Sequence, residues 1–194
     1  MKKIALSYHK LHLKYDRQTA LHEKRVGELS KKIADSISSS KELKSNMYYA
    51  GLLHDIGKMF VPLEILKSNN DLSDKERDLI EDHSEDGAIL LEELEFNDMI
   101  IKAVRYHHER LDGSGYPFKL KGNNIPIESR ILAVADVYDA MSSVRPYRSE
   151  PIADDEILNI MLKDSRVYYD PMIMNILEGI ITDNDLQDDV SLCL

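Results

Sequence analysis

The sequence predicts an all-α fold, one helical bundle. Three observations carry this. Apolar residues recur at steps of three and four through most of the chain, the period of a helix with one buried face. Stretches that alternate apolar with polar residues, as a half-buried strand would, are almost absent. Glycine and proline number only 8 and 6 in 194 residues, and five of the six prolines come after Gly115, so little interrupts the helices. A chain of this length, with 43% apolar and 31% charged residues, is large enough for one domain with a sizeable core.

The elements follow in order. Residues 1–15 read as an N-terminal extension. The first long helix spans about 16–38 and places His22, Val26, Leu29 and Ile33 on one face; the polar run Ser36–Ser40 is its fraying end. The next, 43–56, aligns Leu43, Met47, Ala50 and His54, and Gly57 is expected to end it with Lys58 free beyond. The third, 74–94, opens on a Ser73–Glu76 capping box and aligns Ile80, His83, Gly87, Leu90 and Leu94. The fourth, 97–108, aligns Ile100, Val104 and His107, with His108 beside them. Residues 109–126, rich in Gly, Pro and Asn, form a structured loop. The fifth helix, 127–142, aligns Leu132, Asp136 and Ala140. Helices over 152–163 and 171–181 complete the bundle, the last capped by Asp170 before Pro171, and 182–194 is an acidic tail.

Five helices thus each aim an imidazole or a carboxylate at the bundle interior. A single buried histidine is ordinary, but burying five such groups separately needs five sets of partners, whereas grouping them around a cation needs one site. Asp55, beside His54, diverges from it by about 100° on a helix and could reach between two metals. Asp139, one turn after Asp136, could orient a ligand histidine, or only cap or pair with Arg130 or Arg145. Arg145-Pro146-Tyr147-Arg148 reads either as a solvated basic turn or, together with Lys58, as a local anion funnel.

The formal net charge of −10 argues against a general positive field for nucleic-acid polymers or anionic membranes. No apolar run approaches membrane-spanning length, and no signal-peptide core follows Lys2 and Lys3. The one cysteine, Cys193, cannot form an internal disulfide, which fits a reducing compartment and a cytoplasmic location.

From about His22 to Pro171 the chain resembles the HD-GYP family of metal-dependent phosphodiesterases. The matching pieces are His22-x-x-Arg25-Val26, Leu53-His54-Asp55-Ile56-Gly57-Lys58, His83, the block from His107-His108-Glu109 to Asp112-Gly113-Ser114-Gly115-Tyr116-Pro117, Arg130-Ile131 through Asp136 to Met141, and Arg145 to Arg148. The resemblance implies a helical bundle of the HD-domain type and metal ligands His22, His54, Asp55, His83, His107, His108 and Asp136. It implies a two- or three-metal centre of iron or manganese that hydrolyses cyclic di-GMP, either to pGpG alone or onward to GMP. Asp55 and Lys58 are the expected catalytic residues; Lys58, Gly115, Tyr116, Arg145 and Arg148 are expected to bind substrate. Two positions depart from the pattern. Gln18 stands where three-metal members carry a ligating Glu, so two metals are expected. Lys119 replaces a customary Gly and puts the loop's path in question. Family members are often fused to sensory domains, so the chain is expected either to stand alone or to be an excised catalytic domain, with a signalling protein or a second copy as partner. The alternatives are another cyclic dinucleotide or nucleotide as substrate, or a non-catalytic nucleotide-sensing module.

Overall fold

The computed structural model describes residues 2–68, 71–143, 152–163 and 167–191, with side chains up to residue 183. Among them are ten α-helices: α1 Lys2–Tyr15, α2 Arg17–Ile37, α3 Lys41–Leu53, α4 Leu63–Leu66, α5 Asp74–Glu81, α6 His83–Glu93, α7 Asp98–Tyr106, α8 Ile127–Ser142, α9 Asp154–Lys163 and α10 Pro171–Ser191. Two 3₁₀ turns, Ile56–Phe60 and Gly122–Asn124, join them, and no strand occurs among the described residues. The all-α bundle is therefore as the sequence predicts.

Helix starts are chemically marked. Asp16 caps α2 by accepting from the Thr19 amide at 3.0 Å, and Ser73 with Glu76 closes the expected capping box on α5. Asp170 accepts from the Met172 amide at 2.9 Å ahead of Pro171, the proline-first start read from the sequence.

The frame of the bundle is α2 packed on α3, with α8 against α2 and α7 bridging α3, α6 and α8. Val26 and Ile33 of α2, Met47, Leu52 and Leu53 of α3, Leu91 of α6, Val104 of α7 and Ile131 and Leu132 of α8 share one core with Ile173, Met174 and Leu177 of α10. Helices α2 and α3 touch backbone to backbone: a Cβ on Gly51 would stand 2.4 Å from the Gly27 Cα. That approach brings His22 and His54 to a ring separation of 5.2 Å.

Four expectations need correction. The last helix, expected over 171–181 and followed by a tail, continues as α10 to Ser191. The expected helix over 74–94 is two helices separated at Asp82, with α6 beginning at His83. The face buried by α6 is consequently His83, Gly87, Ala88 and Leu91, while Leu94 is exposed. Helix α3 stops at Leu53 rather than 56, and Gly57 lies inside the following 3₁₀ turn. Its role is close approach, since a Cβ there would run into the His83 carbonyl. Residues 2–15 form a full helix, α1, which packs on α2 and α3.

Candidate metal centre

Four histidines share one arrangement. His54 and His107 are the C-cap residues of α3 and α7, and His83 is the first residue of α6. In each, ring Nδ1 lies against the carbonyl three residues earlier: Gly51 at 2.8 Å, Val104 at 2.6 Å and Ile80 at 2.6 Å. A carbonyl only accepts, so Nδ1 carries the proton and Nε2 of the neutral ring is a lone pair. Those helix-end carbonyls would otherwise lack an intrahelical partner, so one contact finishes the helix and fixes the tautomer. His22 reaches the same state through a carboxylate, with Nδ1 2.7 Å from Asp139 Oδ2.

The freed Nε2 atoms converge. Those of His54, His83 and His107 are buried without any hydrogen-bond partner. Leaving three polar atoms desolvated in one place is costly unless a cation takes their lone pairs. Two groups have ligand atoms within 4.8 Å of one another: His22, His54 and Asp136, and His83, His107 and His108. Asp136 Oδ1 faces His22 Nε2 at 3.2 Å and His54 Nε2 at 3.5 Å. Asp55 stands between the groups, Oδ2 3.4 Å from His54 Nε2 and Oδ1 3.5 Å from His83 Nε2. Separations near 3.0–3.5 Å are those of neighbouring ligands at about 2.0–2.2 Å from one ion. The residues therefore fit a pair of metal ions.

The electrostatics divide the groups. Burial disfavours charge on His54, but the Asp55 and Asp136 carboxylates outweigh it and raise its pKa to about 9. Burial, reinforced by His54 and His83, drives His107 down to about 3, and burial beside His107 holds His108 well below the ordinary range. The group of three histidines is thus neutral and ready to donate lone pairs. Burial opposes charge on Asp55, yet His54, Lys58 and His83 keep it well below the usual carboxylate range.

Of the other expected site residues, Lys58 is half-buried, and its Nζ binds Asp55 Oδ2 at 2.7 Å rather than standing free. Gly115 is buried, and the Tyr116 ring lies 4.6 Å from that of His108. Gln18 is exposed on α2 and lines a cleft with Leu21, Arg25, Ser142 and Ser143. Arg145 and Arg148 lie outside the described residues. Of the alternatives open for Asp139, the structure shows the orienting one: besides His22 it accepts from Arg25 Nε at 2.6 Å. Arg130 pairs instead with Asp170 at 2.5 Å. Sequence reasoning gave Arg25 and Glu109 no role. The signal for Arg25 was its i,i+3 spacing from His22, which mirrors that of Asp139 from Asp136.

A family model described as HD domain matches residues 2–173. The chain belongs to the HD-domain family. Among curated relatives, the HD-domain chain is 39% identical to 3'3'-cGAMP-specific phosphodiesterase 1 of Vibrio cholerae, over 74% of this chain and 33% of that protein. It is 36% identical to a cyclic di-GMP phosphodiesterase of Thermotoga maritima, over 79% of this chain and 42% of the relative. It therefore spans less than half the length of these relatives. The structure of Bd1817, an HDG"Y"P protein from Bdellovibrio bacteriovorus, superposes with a TM-score of 0.65 at 21% identity, covering 83% of this chain and 51% of that one. The resemblance to HD-GYP proteins read from the motifs agrees with these matches. No helix among the described residues is long and apolar enough to cross a membrane.

Proposed function

We propose that this chain is a binuclear metal-dependent phosphodiesterase that opens a cyclic dinucleotide, cyclic di-GMP first, to linear pGpG and onward to GMP. The observation that carries the reading is Asp55, whose two carboxylate oxygens face His54 Nε2 at 3.4 Å and His83 Nε2 at 3.5 Å, one toward each histidine group. In this reading His22, His54 and Asp136 would hold one ion and His83, His107 and His108 the other, with Asp55 a candidate ligand to both. Mixed imidazole and carboxylate donors suit iron or manganese. When bound, such a pair would supply an acidified water and positive charge to offset that of a phosphodiester.

The chain's own residues do the rest. Lys58, held 2.7 Å from Asp55, places an ammonium where it stabilises charge on the departing ribose oxygen or supplies its proton. Tyr116, stacked on His108, forms a wall against which a base can pack. Gly115 lets the loop lie flat on that wall, and Arg145 and Arg148 hold phosphate or a guanine edge. With Gln18 in place of a third-site carboxylate, two ions suffice.

The 39% identity to a cGAMP-specific enzyme favours a second reading, in which 3'3'-cGAMP is the better substrate of the same site. Retention of every ligand and of Lys58 speaks against a non-catalytic sensor. The test is a panel of cyclic dinucleotides incubated with the iron- or manganese-loaded protein. Linear product is expected from at least one, and Asp55→Ala is expected to abolish it with the helical signal intact. No turnover across the panel, or full activity in Asp55→Ala, refutes the proposal.

A further inference from the structure

Glu109 follows the histidine pair directly, and nothing in the metal centre uses it. Its side chain is nonetheless buried, with the residue 2% exposed. It is paired with no cation among the ion pairs of the described residues; its two oxygens accept backbone N–H groups instead, Oε1 from Phe118 at 2.8 Å and Oε2 from Leu120 at 2.9 Å. A buried carboxylate satisfied only by amides is costly to desolvate, so its place here needs a reason. The reason lies in what the two amides flank. Lys119 between them has φ +55°, a left-handed conformation that side chains other than glycine seldom adopt. The carboxylate holds the chain on both sides of that residue and so turns the loop back toward the centre.

Two further contacts complete the return. The Tyr116 amide donates to the His108 carbonyl at 3.3 Å. A Cβ on Gly115 would fall 2.3 Å from that carbonyl and 2.5 Å from the Glu109 Cα, so the loop lies directly on the backbone of 108–110. The outcome is the Tyr116 ring 4.6 Å from the His108 ring and 6.4 Å from that of His83. These anchors lie either side of Pro117, and the carboxylate is the one supplied by a side chain.

We propose that Glu109 is a positioning residue which, by clamping the amides of Phe118 and Leu120, sets Tyr116 as the substrate-facing wall beside His108. This rests on the reading of Tyr116 as a substrate contact. Glu109 touches neither an ion nor the reacting atoms, so its loss acts on substrate binding and spares metal loading.

The experiment compares the metal-loaded full chain with Glu109→Gln, Tyr116→Ala and the double variant, on whichever cyclic dinucleotide the parent turns over best. Gln keeps the shape but sets an NH2 against one backbone N–H, so one of the two anchors is lost and the other becomes an uncharged hydrogen bond. Expected are a rise in KM of about tenfold, kcat within about twofold of the parent, unchanged metal content, and faster hydrogen exchange at the 118 and 120 amides with the helices still protected. In the double variant KM is expected to rise no further than in Tyr116→Ala alone, the signature of two residues acting through one contact. If Glu109→Gln does not fold, Glu109→Asp, one methylene too short to reach both amides, takes its place. A loosened loop with unchanged KM, strictly additive effects, or loss of metal each overturn the proposal while an active parent leaves the function standing. A parent that turns over no dinucleotide overturns both.

Discussion

Asp139→Asn is the perturbation that tests how the centre is built. The Asp139 carboxylate is 4% exposed and serves four donors: His22 Nδ1 at 2.7 Å, Arg25 Nε at 2.6 Å, Arg25 Nη2 at 3.0 Å and Ser143 Oγ at 3.3 Å. Asparagine keeps one oxygen and turns the other into a donor. If its NH2 faces His22, that ring must accept at Nδ1, its proton moves to Nε2, and the lone pair aimed at Asp136 is gone. If the NH2 faces Arg25 instead, two donors collide. Removing such a partner typically weakens metal affinity by about 10- to 100-fold, about 1.4–2.8 kcal/mol. The assay titrates manganese into metal-free protein against a competing chelator. One ion per chain is expected to bind 10- to 100-fold more weakly than in the parent, while the ion of the three-histidine group stays within about threefold, because no ligand of that group contacts Asp139. Identical titrations for parent and variant would refute the claim that Asp139 fixes His22. Equal weakening of both ions would refute the division into two groups.

Two further outcomes are expected. His12 donates to the buried Glu23 carboxylate at 2.9 Å, and this contact raises its pKa above the ordinary 6.5 against the opposing effect of burial. A raised folded-state value stabilises the protein fully below the unfolded value and fades as pH rises through the folded one. The stability deficit of metal-free His12→Gln in urea melts is therefore expected to be largest near pH 5.5 and to shrink steadily above 6.5; a deficit that is flat or grows with pH contradicts the assignment. Lys119 sits at φ +55°, where a β-branched side chain is strained and glycine is not. Lys119→Gly is expected to melt at or above the parent, and Lys119→Val about 2–4 °C below it for each kcal/mol of added strain; equal melting of all three sets the strain argument aside.

Much of the centre was legible because helical periodicity is a strong signal when a polar residue breaks an apolar face. His22 above Val26 and Ile33, and His107 above Val104 and Ile100, needed only step counting, and these residues are buried together. Other features left no such mark. Helix α1 buries Ala5 and the polar His9 while Ile4, Leu6, Leu11 and Leu13 face outward, so its apolar residues do not trace its contact face. The break at Asp82 is invisible to periodicity because α5 and α6 both continue a three- and four-residue step across it. The reach of Arg25 to Asp139 joins residues 114 positions apart, and no local pattern reports a contact between two helices.

What pattern reading could not supply is why the ligands stand at helix ends. His54, His83 and His107 each answer a carbonyl at the end of the preceding helix or of their own, and that contact leaves Nε2 as the only lone pair. A carbonyl in mid-helix already accepts from the helix's own amide, so it has less need of a ring N–H than one at a helix end. His22 is mid-helix on α2, and it is the one of these four whose Nδ1 is held by a distant carboxylate. Three of the candidate ligands are oriented by local backbone and survive any change that leaves their helices intact; the fourth depends on Asp139 and, through it, on Arg25. His22 is therefore the candidate ligand that substitutions at Asp139 or Arg25 can tune, whereas the orientation of His83 and His107 depends on their own helix ends.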